Sequence, residues 1–359
     1  MGSYHLNDSL ENLESLLIGA GLNAKRRNEA LVDWQQTACN VQYLSVDYSI
    51  AMVDYQIAYW SGNHLACKDI SLVLMHDNRP CGLWPLSATC EVDGQWRIGS
   101  NGGPLLPPLF IAGFSRKSVK SVIGCCLIFI ESLCAQIGQF RFDSFEPFAG
   151  GAGLSEWHDR LMQGGAKAAL QHDLYIDLSQ SLADIKSGFR KSYKSLITSG
   201  SKLWNVQIIK TSQPMLWWDE FRLLHRAVAG RVTRTEESWR LQHEAIASGD
   251  AFFVFLRDDA GRMVGGALFH VTKHEALYAV GAYDRSLFDK PLGHVVQYHA
   301  IMEMKRRGIR WYKIGARVYS GDTPQPSDKE FAISHFKQGF SSHLFPRFLL
   351  RNELKHSKG

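Results

Sequence analysis

The loop Arg285-Ser-Leu-Phe-Asp-Lys-Pro-Leu-Gly293 decides the fold, because strand signals lead into it and a helix signal follows it. Before the loop, residues 254–257 and 263–271 are rich in strand-forming side chains and flank an acidic turn that ends in glycine. A second polar turn leads to a further run of this kind at residues 276–282. The pattern predicts three antiparallel strands in a meander.

A helix and a fourth strand are predicted after the loop. Apolar residues recur at helical spacing from about His294, and Gly308 ends that pattern. Residues 309–314 then read as a short strand. A crossover helix returns such a strand parallel to the strand at 276–282.

A meander followed by a loop, a helix and a parallel strand resembles the acyl-CoA-binding core of the GNAT N-acyltransferase fold. The resemblance implies that the helix N-terminus, with free amides and a positive dipole end, binds the pyrophosphate of the donor. The residues concerned are Lys290, Leu292, Gly293 and His294. The Gly-rich signature usual there is reduced to Leu-Gly-His, so an ordinary strand–helix–strand unit of another α/β domain is the alternative.

Composition indicates a globular chain of about two domains. The chain has 359 residues, 45% of them hydrophobic, and a formal net charge of +5, which favours an anionic ligand over a nucleic-acid coat. Its 7 cysteines lack the paired spacing of a zinc site and look like reduced thiols of a cytoplasmic protein. We therefore expect no metal site.

No membrane span or secretory signal is predicted. The N-terminus lacks the basic-then-apolar order of a signal peptide. The most apolar run, residues 122–135, is interrupted by Glu131 and is shorter than the roughly 20 residues that span a bilayer.

The order of elements occurs twice in the chain. A hairpin, a third strand, a Gly/Pro loop, a helix and a short strand are found at residues 70–146 and again at 252–314. The duplication resembles the FemAB-type transferases, which carry two GNAT-like cores. We therefore predict an α/β (α+β) protein of tandem GNAT-like domains, with mixed sheets flanked by helices. Residues 1–150 are assigned to a degenerate first domain and 151–359 to the catalytic domain with a C-terminal extension.

Two motifs carry this resemblance further. Phe189-Arg-Lys-Ser-Tyr-Lys194 lies in a predicted basic helix that starts at a capping box and runs to about residue 199. Phe336-Lys-Gln-Gly-Phe340, after an acidic turn, is similar to the closing segment of the family. One departure is Lys313-Ile-Gly315, where the family often has Asp-Phe-Gly, which puts a carboxylate role there in doubt.

Three residues are the catalytic candidates. Acyl transfer needs a deprotonated amine, a polarised carbonyl and a proton for the leaving group. Asp284 is proposed to accept the proton of the amine, and Tyr283 to protonate the leaving group. Lys337 neutralises a phosphate or an oxyanion, as the resemblance implies. The alternative for Asp284 is a turn residue, for Tyr283 an aromatic at a sheet edge, and for Lys337 a solvated surface lysine.

Six further residues are candidates for substrate binding: Arg190, Lys194, Arg231, Arg234, Arg317 and Tyr319. Arg231 and Arg234 precede a helix start and could clamp a phosphate, although pairing with Glu236 and Glu237 is the alternative.

The chain is accordingly predicted to be an N-acyltransferase. Its donor is acyl-CoA, a co-substrate and not a bound cofactor, or else an aminoacyl-tRNA, which would use the basic helix. The resemblance implies as acceptor an amine on a sugar or peptide precursor of the cell envelope or of a polysaccharide. A non-catalytic protein that binds a nucleotide-linked sugar or nucleic acid through the same fold is the alternative from another class.

Overall fold

The chain forms two compact units in a computed structural model that describes residues 12–64, 66–151, 153–211 and 215–354. The second unit is Gln171–Pro346, and the first holds the chain up to Leu170 together with the segment that starts at Arg347. The division therefore differs from the predicted one at residue 150. The reason is a C-terminal strand that forms hydrogen bonds within the first unit, where Phe348 faces Glu146 and Leu350 faces Ser144. The N-terminal residues on which the signal-peptide prediction rests lie largely outside the described ranges.

The first unit contains short helices and two small antiparallel sheets. Its helices are α1 Leu13–Gly19, α2 Leu31–Asn40, α3 Ile50–Asn63, α4 Arg116–Gln136 and α5 Glu156–Gln163. Its strands are β1 Ala24–Arg26, β2 Ala66–Asp69, β3 Leu72–His76, β4 Arg79–Trp84, β5 Ser87–Cys90, β6 Trp96–Gly99, β7 Leu109–Phe110 and β8 Arg141–Glu146. The sheets have the orders β1-β3-β4-β7 and β2-β5-β6.

Helix α4 is the central helix of the first unit. By length and composition alone, α4 is able to cross a membrane. The sequence prediction of no membrane span considered only the apolar run at residues 122–135, and α4 is longer than that run. Its buried side chains, among them Cys126, Phe129 and Leu133, belong to the hydrophobic core that also contains Trp84 and Trp157. One face of α4 therefore packs in the hydrophobic core of the first unit.

The second unit is a mixed sheet flanked by helices. Its strands are β9 Lys167–Asp177, β10 Asn205–Ile209, β11 Ala251–Arg257, β12 Met263–Val271, β13 Glu275–Tyr283, β14 Trp311–Arg317 and β15 His343–Glu353, of which β9 begins and β15 ends in the first unit. Its helices are α6 Leu182–Gly188, α7 Lys191–Leu203, α8 Leu216–Ala229, α9 Glu236–Ala247, α10 Leu292–Arg306 and α11 Asp328–Gln338. The sheet order β10-β11-β12-β13-β14-β9 confirms the predicted meander, and β14 is parallel to β13 as predicted.

The predicted basic helix is two helices. Phe189 and Arg190 have extended backbone, with ψ of 155° and 135°, and separate α6 from α7. The Phe189 side chain is buried and packs edge-on against Phe340, with ring centroids 5.1 Å apart. Burial of this ring stabilises the break, so Lys186 and Lys194 do not belong to one continuous helix face.

Candidate active site

The parallel strands β13 and β14 separate part-way along their length. They pair from Glu275 with Trp311 to Leu277 with Lys313. Strand β13 then stays paired with β12 as far as Tyr283, whereas β14 continues along β9 with a bulge between Lys313 and Gly315. Because a bulge bends and twists its strand, the two strands part and leave a gap in the sheet. We call this gap the strand opening.

The amine of Lys337, from the last turn of α11, lies at the strand opening. Its Nζ is 5.1 Å from the centroid of the Tyr278 ring on β13. On β14 a Cβ at Gly315 would lie 2.4 Å from Nζ, and Gly315 has a φ of +150°, so this position requires glycine. Burial lowers the pKa of Lys337 to about 8, against the opposing effect of Asp173. At pH 7 the amine is still protonated by about ten to one.

Two tyrosine hydroxyls lie on the β13 side of the opening. The hydroxyl oxygens of Tyr278 and Tyr283 are 3.4 Å apart. Cβ atoms at Gly281 and Gly265 would lie 2.2 Å from Tyr278 and 2.7 Å from Tyr283, so the glycines make room for the rings. Burial raises the pKa of both hydroxyls, so they remain protonated at neutral pH and can serve as proton donors. The sequence prediction included Tyr283 and missed Tyr278.

A buried ion pair lies beside the opening and was also missed. Lys313 Nζ is 2.8 Å from Asp173 Oδ2 on the neighbouring strand β9, and the Asp173 side chain is 3% exposed. The sequence raised doubt about a carboxylate because β14 carries Lys313 where the resembling family often has Asp. In the structure a carboxylate on β9, that of Asp173, contacts this lysine. Lys313 within a predicted strand was the one sign of this carboxylate in the sequence, because a buried lysine needs an anionic partner.

The closing motif is fixed by aromatic packing. The Tyr193 ring packs against Phe340 at 4.8 Å and Phe336 at 5.9 Å, and a Cβ at Gly339 would lie 2.2 Å from that ring. The Tyr193 hydroxyl donates to the Phe336 carbonyl at 3.2 Å. The two motifs found in the sequence therefore meet, and their contact positions Lys337.

Arg190 joins the same cluster. Its guanidinium donates to the Tyr193 hydroxyl at 3.2 Å and to the His335 carbonyl at 3.2 Å. Its backbone amide donates to the Gly339 carbonyl at 2.8 Å. The other basic residue predicted here, Lys194, donates to the Ser187 carbonyl at 2.5 Å and so links α7 to α6.

The predicted pyrophosphate site at the start of α10 is partly covered. A Cβ at Gly293 would lie 3.0 Å from the Phe336 ring, and the His294 ring packs on Tyr193 at 4.4 Å. Burial, with the nearby Arg190 charge, lowers the pKa of His294 to about 4, so its ring is neutral. The Leu292 side chain is in the core and its amide donates to the Lys290 carbonyl at 3.0 Å. Gly293 and His294 thus keep first-turn amides for a ligand.

Three other predicted residues have polar contacts of their own. Lys290 is exposed and lies 3.2 Å from Asp289. Arg317 donates to the Ser334 hydroxyl of α11 at 3.1 Å and lies over the Tyr319 ring at 4.9 Å. Arg317 and Tyr319 therefore stand at the β14 end, next to the helix that carries Lys337.

Asp284 has the contacts of a turn residue. Its carboxylate accepts hydrogen bonds from the amide and hydroxyl of Ser286, at 3.0 and 2.6 Å, and from Arg262 at 2.9 Å. These donors lower its pKa, which weakens it as a base. Its proposed role as proton acceptor stays a prediction.

Arg231 and Arg234 lie in the connection between α8 and α9. Arg234 hydrogen-bonds His225 at 3.0 Å and lies over the Trp239 ring at 5.3 Å, while Arg231 is exposed. Glu236 pairs with Arg222 and Glu237 with Arg240. Arg234 is therefore part of the packing between α8 and α9.

Two open clefts of about 600 and 590 Å³ lie in the first unit, away from these residues. Charged groups at their edges are paired, Arg160 with Glu156 and Arg141 with Asp143. Among the residues that the structure describes, no group of three or more His, Cys, Asp or Glu side chains forms a metal site.

Comparison with known families identifies the second half of the chain. Residues 187–328 match the family described as acetyltransferase (GNAT) domain. The matched segment, which lies within the second unit, is a GNAT domain. Between the two classes of protein predicted from the sequence, the match favours the enzyme. No curated protein sequence matches the chain.

Solved structures extend the GNAT likeness to both halves. FemX has a TM-score of 0.65 at 11% identity and covers 91% of this chain and 97% of its own. The C-terminal domain of a putative lysylphosphatidylglycerol synthetase from Agrobacterium fabrum gives 0.57 at 14%, covering 90% and 92%. A tandem GNAT protein from the clavulanic acid biosynthesis pathway gives 0.51 at 14%, covering 94% and 100%. The chain has the tandem, FemAB-like GNAT fold that its sequence predicted.

Proposed function

We propose that this GNAT protein transfers an acyl group from acyl-CoA to a primary amine, using the strand opening as its reaction site. The observation that carries the proposal is the amine of Lys337, held at the opening next to the hydroxyls of Tyr278 and Tyr283. A cation and two proton donors in a partly buried slot suit a reaction in which an oxyanion forms and a thiolate leaves.

Lys337 and the two tyrosines have different roles in the proposed acyl transfer. The acceptor amine attacks the thioester carbonyl, and protonated Lys337 stabilises the negative oxygen of the tetrahedral adduct. The carbon–sulfur bond then breaks, and a hydroxyl of the Tyr278–Tyr283 pair gives its proton to the departing sulfur. The tyrosinate left behind takes the proton that the acceptor nitrogen loses as the amide forms, which restores the hydroxyl. Both hydroxyls are protonated at neutral pH, since burial raises their pKa.

Acyl-CoA is the favoured donor because first-turn amides of α10 lie at the same end of β13 as the opening. Gly293 and His294 are proposed to bind the pyrophosphate through these amides, with Lys290 beside them. The neutral His294 ring adds no charge there. The tandem GNAT structure is described as being without AcCoA, which associates that protein with an acyl-CoA. An aminoacyl-tRNA is the second donor to test.

The acceptor is proposed to be an amine-bearing sugar or peptide precursor of the cell envelope or of a polysaccharide, acylated in the cytoplasm. Support comes from the likeness to FemX and to a putative lysylphosphatidylglycerol synthetase. Arg317 and Tyr319, at the β14 end of the opening, are the proposed contacts for an anionic part of that acceptor.

Release of free CoA tests the proposal. The protein is mixed with acetyl-CoA or a longer acyl-CoA and a panel of amino sugars and aminoacyl nucleotides, and thiol release and the product mass are followed. Lys337→Met is expected to lower kcat roughly 100- to 1,000-fold, the range for loss of one oxyanion donor. Lys329→Met, on the exposed first turn of the same helix, is the matched control and should keep full activity.

The donor is tested separately by ligand-induced stabilisation. Saturating acyl-CoA is expected to raise the thermal midpoint, because it binds the folded state. No rise with any CoA thioester at millimolar concentration would reject that donor. Transfer from charged tRNA under the same conditions would then identify the second donor.

A further inference from the structure

A buried charge pair adjoins the lysine of the proposed reaction site. Lys313 and Gly315 lie two positions apart on β14, and Gly315 is the residue against which the Lys337 amine packs. Lys313 itself contacts Asp173 at 2.8 Å, and the two side chains are 15% and 3% exposed. At such low exposure the charges are weakly screened by solvent.

Several elements surround this part of α11. The titratable and charged groups on them are Asp173 on β9, Tyr278 on β13, Lys313 and Arg317 on β14, Arg190 and Tyr193 at the start of α7, and His294 on α10. Asp173 is the group among them whose charge acts on Lys337 in the direction of protonation. Its own charge is in turn compensated by Lys313.

We propose that the Asp173–Lys313 ion pair is a positioning element that sets the charge state of the Lys337 amine. The inference rests on the proposed function for its catalytic meaning, but the charge state of Lys337 is measurable without turnover. With both partners present, the Lys313 cation offsets part of the Asp173 charge that acts on Lys337. Loss of either partner leaves one buried charge facing the amine, and the two losses have opposite signs.

The sign of each effect follows from Coulomb's law. Lys313→Met removes the cation that contacts the Asp173 carboxylate, which favours protonated Lys337 and raises the pKa of its amine. Asp173→Asn leaves the Lys313 cation, which repels a second cation and lowers the pKa of Lys337. The double variant removes both charges, and the pKa of Lys337 should then lie between the values in the two single variants.

The test is competitive labelling of lysines with trace acetic anhydride between pH 6 and 10, read by mass spectrometry of the Lys337 peptide. Only the neutral amine reacts. A shift of one pKa unit changes the labelling rate below the pKa about tenfold. We expect about tenfold slower labelling in Lys313→Met, about tenfold faster labelling in Asp173→Asn, and an intermediate rate in the double variant. The exposed amine of Lys290, distant in sequence from Lys337, is the internal reference for the labelling rate in the same digest.

Shifts of one sign in both single variants, or no shift while Lys290 is unchanged, would overturn the inference. If Asp173→Asn does not fold, the comparison of Lys313→Met with the double variant decides the same point. An independent readout is the alkaline limb of the activity profile, which should move to higher pH in Lys313→Met and to lower pH in Asp173→Asn. Labelling shifts as expected without activity in any variant would instead count against the proposed function.

Discussion

At the scale of single residues, the proposed reaction site combines side chains whose isolated properties are ordinary. Lys337 belongs to a helix with exposed charged residues, and only its position against Gly315 and the Tyr278 ring buries its amine. Burial disfavours the charged form and lowers the pKa to about 8. A buried charged amine therefore lowers the free energy of unfolding, compared with a neutral side chain at the same position.

Lys337→Met is therefore expected to stabilise the protein while removing activity. The gain in unfolding free energy at pH 7 should be roughly 1–3 kcal/mol, from the lowered pKa and after allowance for partial exposure. Because the folded pKa lies below the unfolded value, the gain is complete below pH 8. It falls as pH rises toward about 10.4, where the unfolded lysine also loses its proton. Urea unfolding at pH 7 and pH 10 checks both points, and a loss of stability at pH 7 would contradict the argument.

At the scale of elements, the site depends on where two strands stop pairing. The bulge on β14 and the break between α6 and α7 are both local irregularities. The first opens the sheet, and the second buries Phe189 and brings Arg190 to the Phe-Lys-Gln-Gly-Phe segment of α11. Glycines at the contact points allow these close approaches.

Gly315→Ala tests the strand opening itself. A Cβ there would lie 2.4 Å from Lys337 Nζ, and a φ of +150° strains any residue with a side chain. We expect a loss of roughly 1–2 kcal/mol of stability and a fall in acyl transfer of at least about tenfold, because the amine is displaced.

Gly321→Ala is the matched control, since a Cβ at Gly321 meets no atom within 4 Å. Stability and activity should both be unchanged in this variant. Full activity in Gly315→Ala would contradict the prediction, because it would show that acyl transfer does not depend on the contact of Lys337 with β14. The measurements are thermal unfolding and the thiol-release assay.

At the scale of the whole molecule, neutral buried histidines make the second unit sensitive to acid. Burial lowers the pKa of His225, His270 and His294 to about 4, with Arg234 and Arg190 adding to the effect at the first and last. In the first unit burial raises the pKa of Glu146 to about 7, which acts in the opposite direction. Burial also lowers the pKa of His158, His274 and His299, so the histidines together outweigh Glu146 and give a net loss of stability on acidification.

The unfolding free energy is expected to fall as pH drops from 6.5 to 4, because the unfolded chain binds protons that the folded histidines do not. Each histidine contributes up to about 1.4 kcal/mol per pH unit in that window. His270→Met should make the fall shallower, whereas His76→Gln, at an exposed position, should leave it unchanged. Thermal unfolding at closely spaced pH values is the measurement, and identical slopes in His270→Met and the original chain would contradict the prediction.

Much of the second half could be predicted from sequence. The meander, the α10 helix and the parallel β14 strand follow from alternation, helical spacing and glycine stops, which are local properties. Tyr283 and Lys337 were found by position after a strand and by motif. The predictions were weaker where burial overrides local pattern, as at Phe189. They were also weaker where a strand late in the chain pairs with an early one, as β15 pairs with β8.

The amino-acid sequence by itself thus determined the class of fold, the duplication and the segment that carries Lys337, because periodicity and turn chemistry act over neighbouring residues. The tertiary structure decided which side chains share the site. Asp173, Tyr278 and Lys337 are far apart in the chain and meet only through sheet register and the separation of two strands. Burial at that meeting point then sets the charge of the lysine, and burial is a property of the folded chain alone.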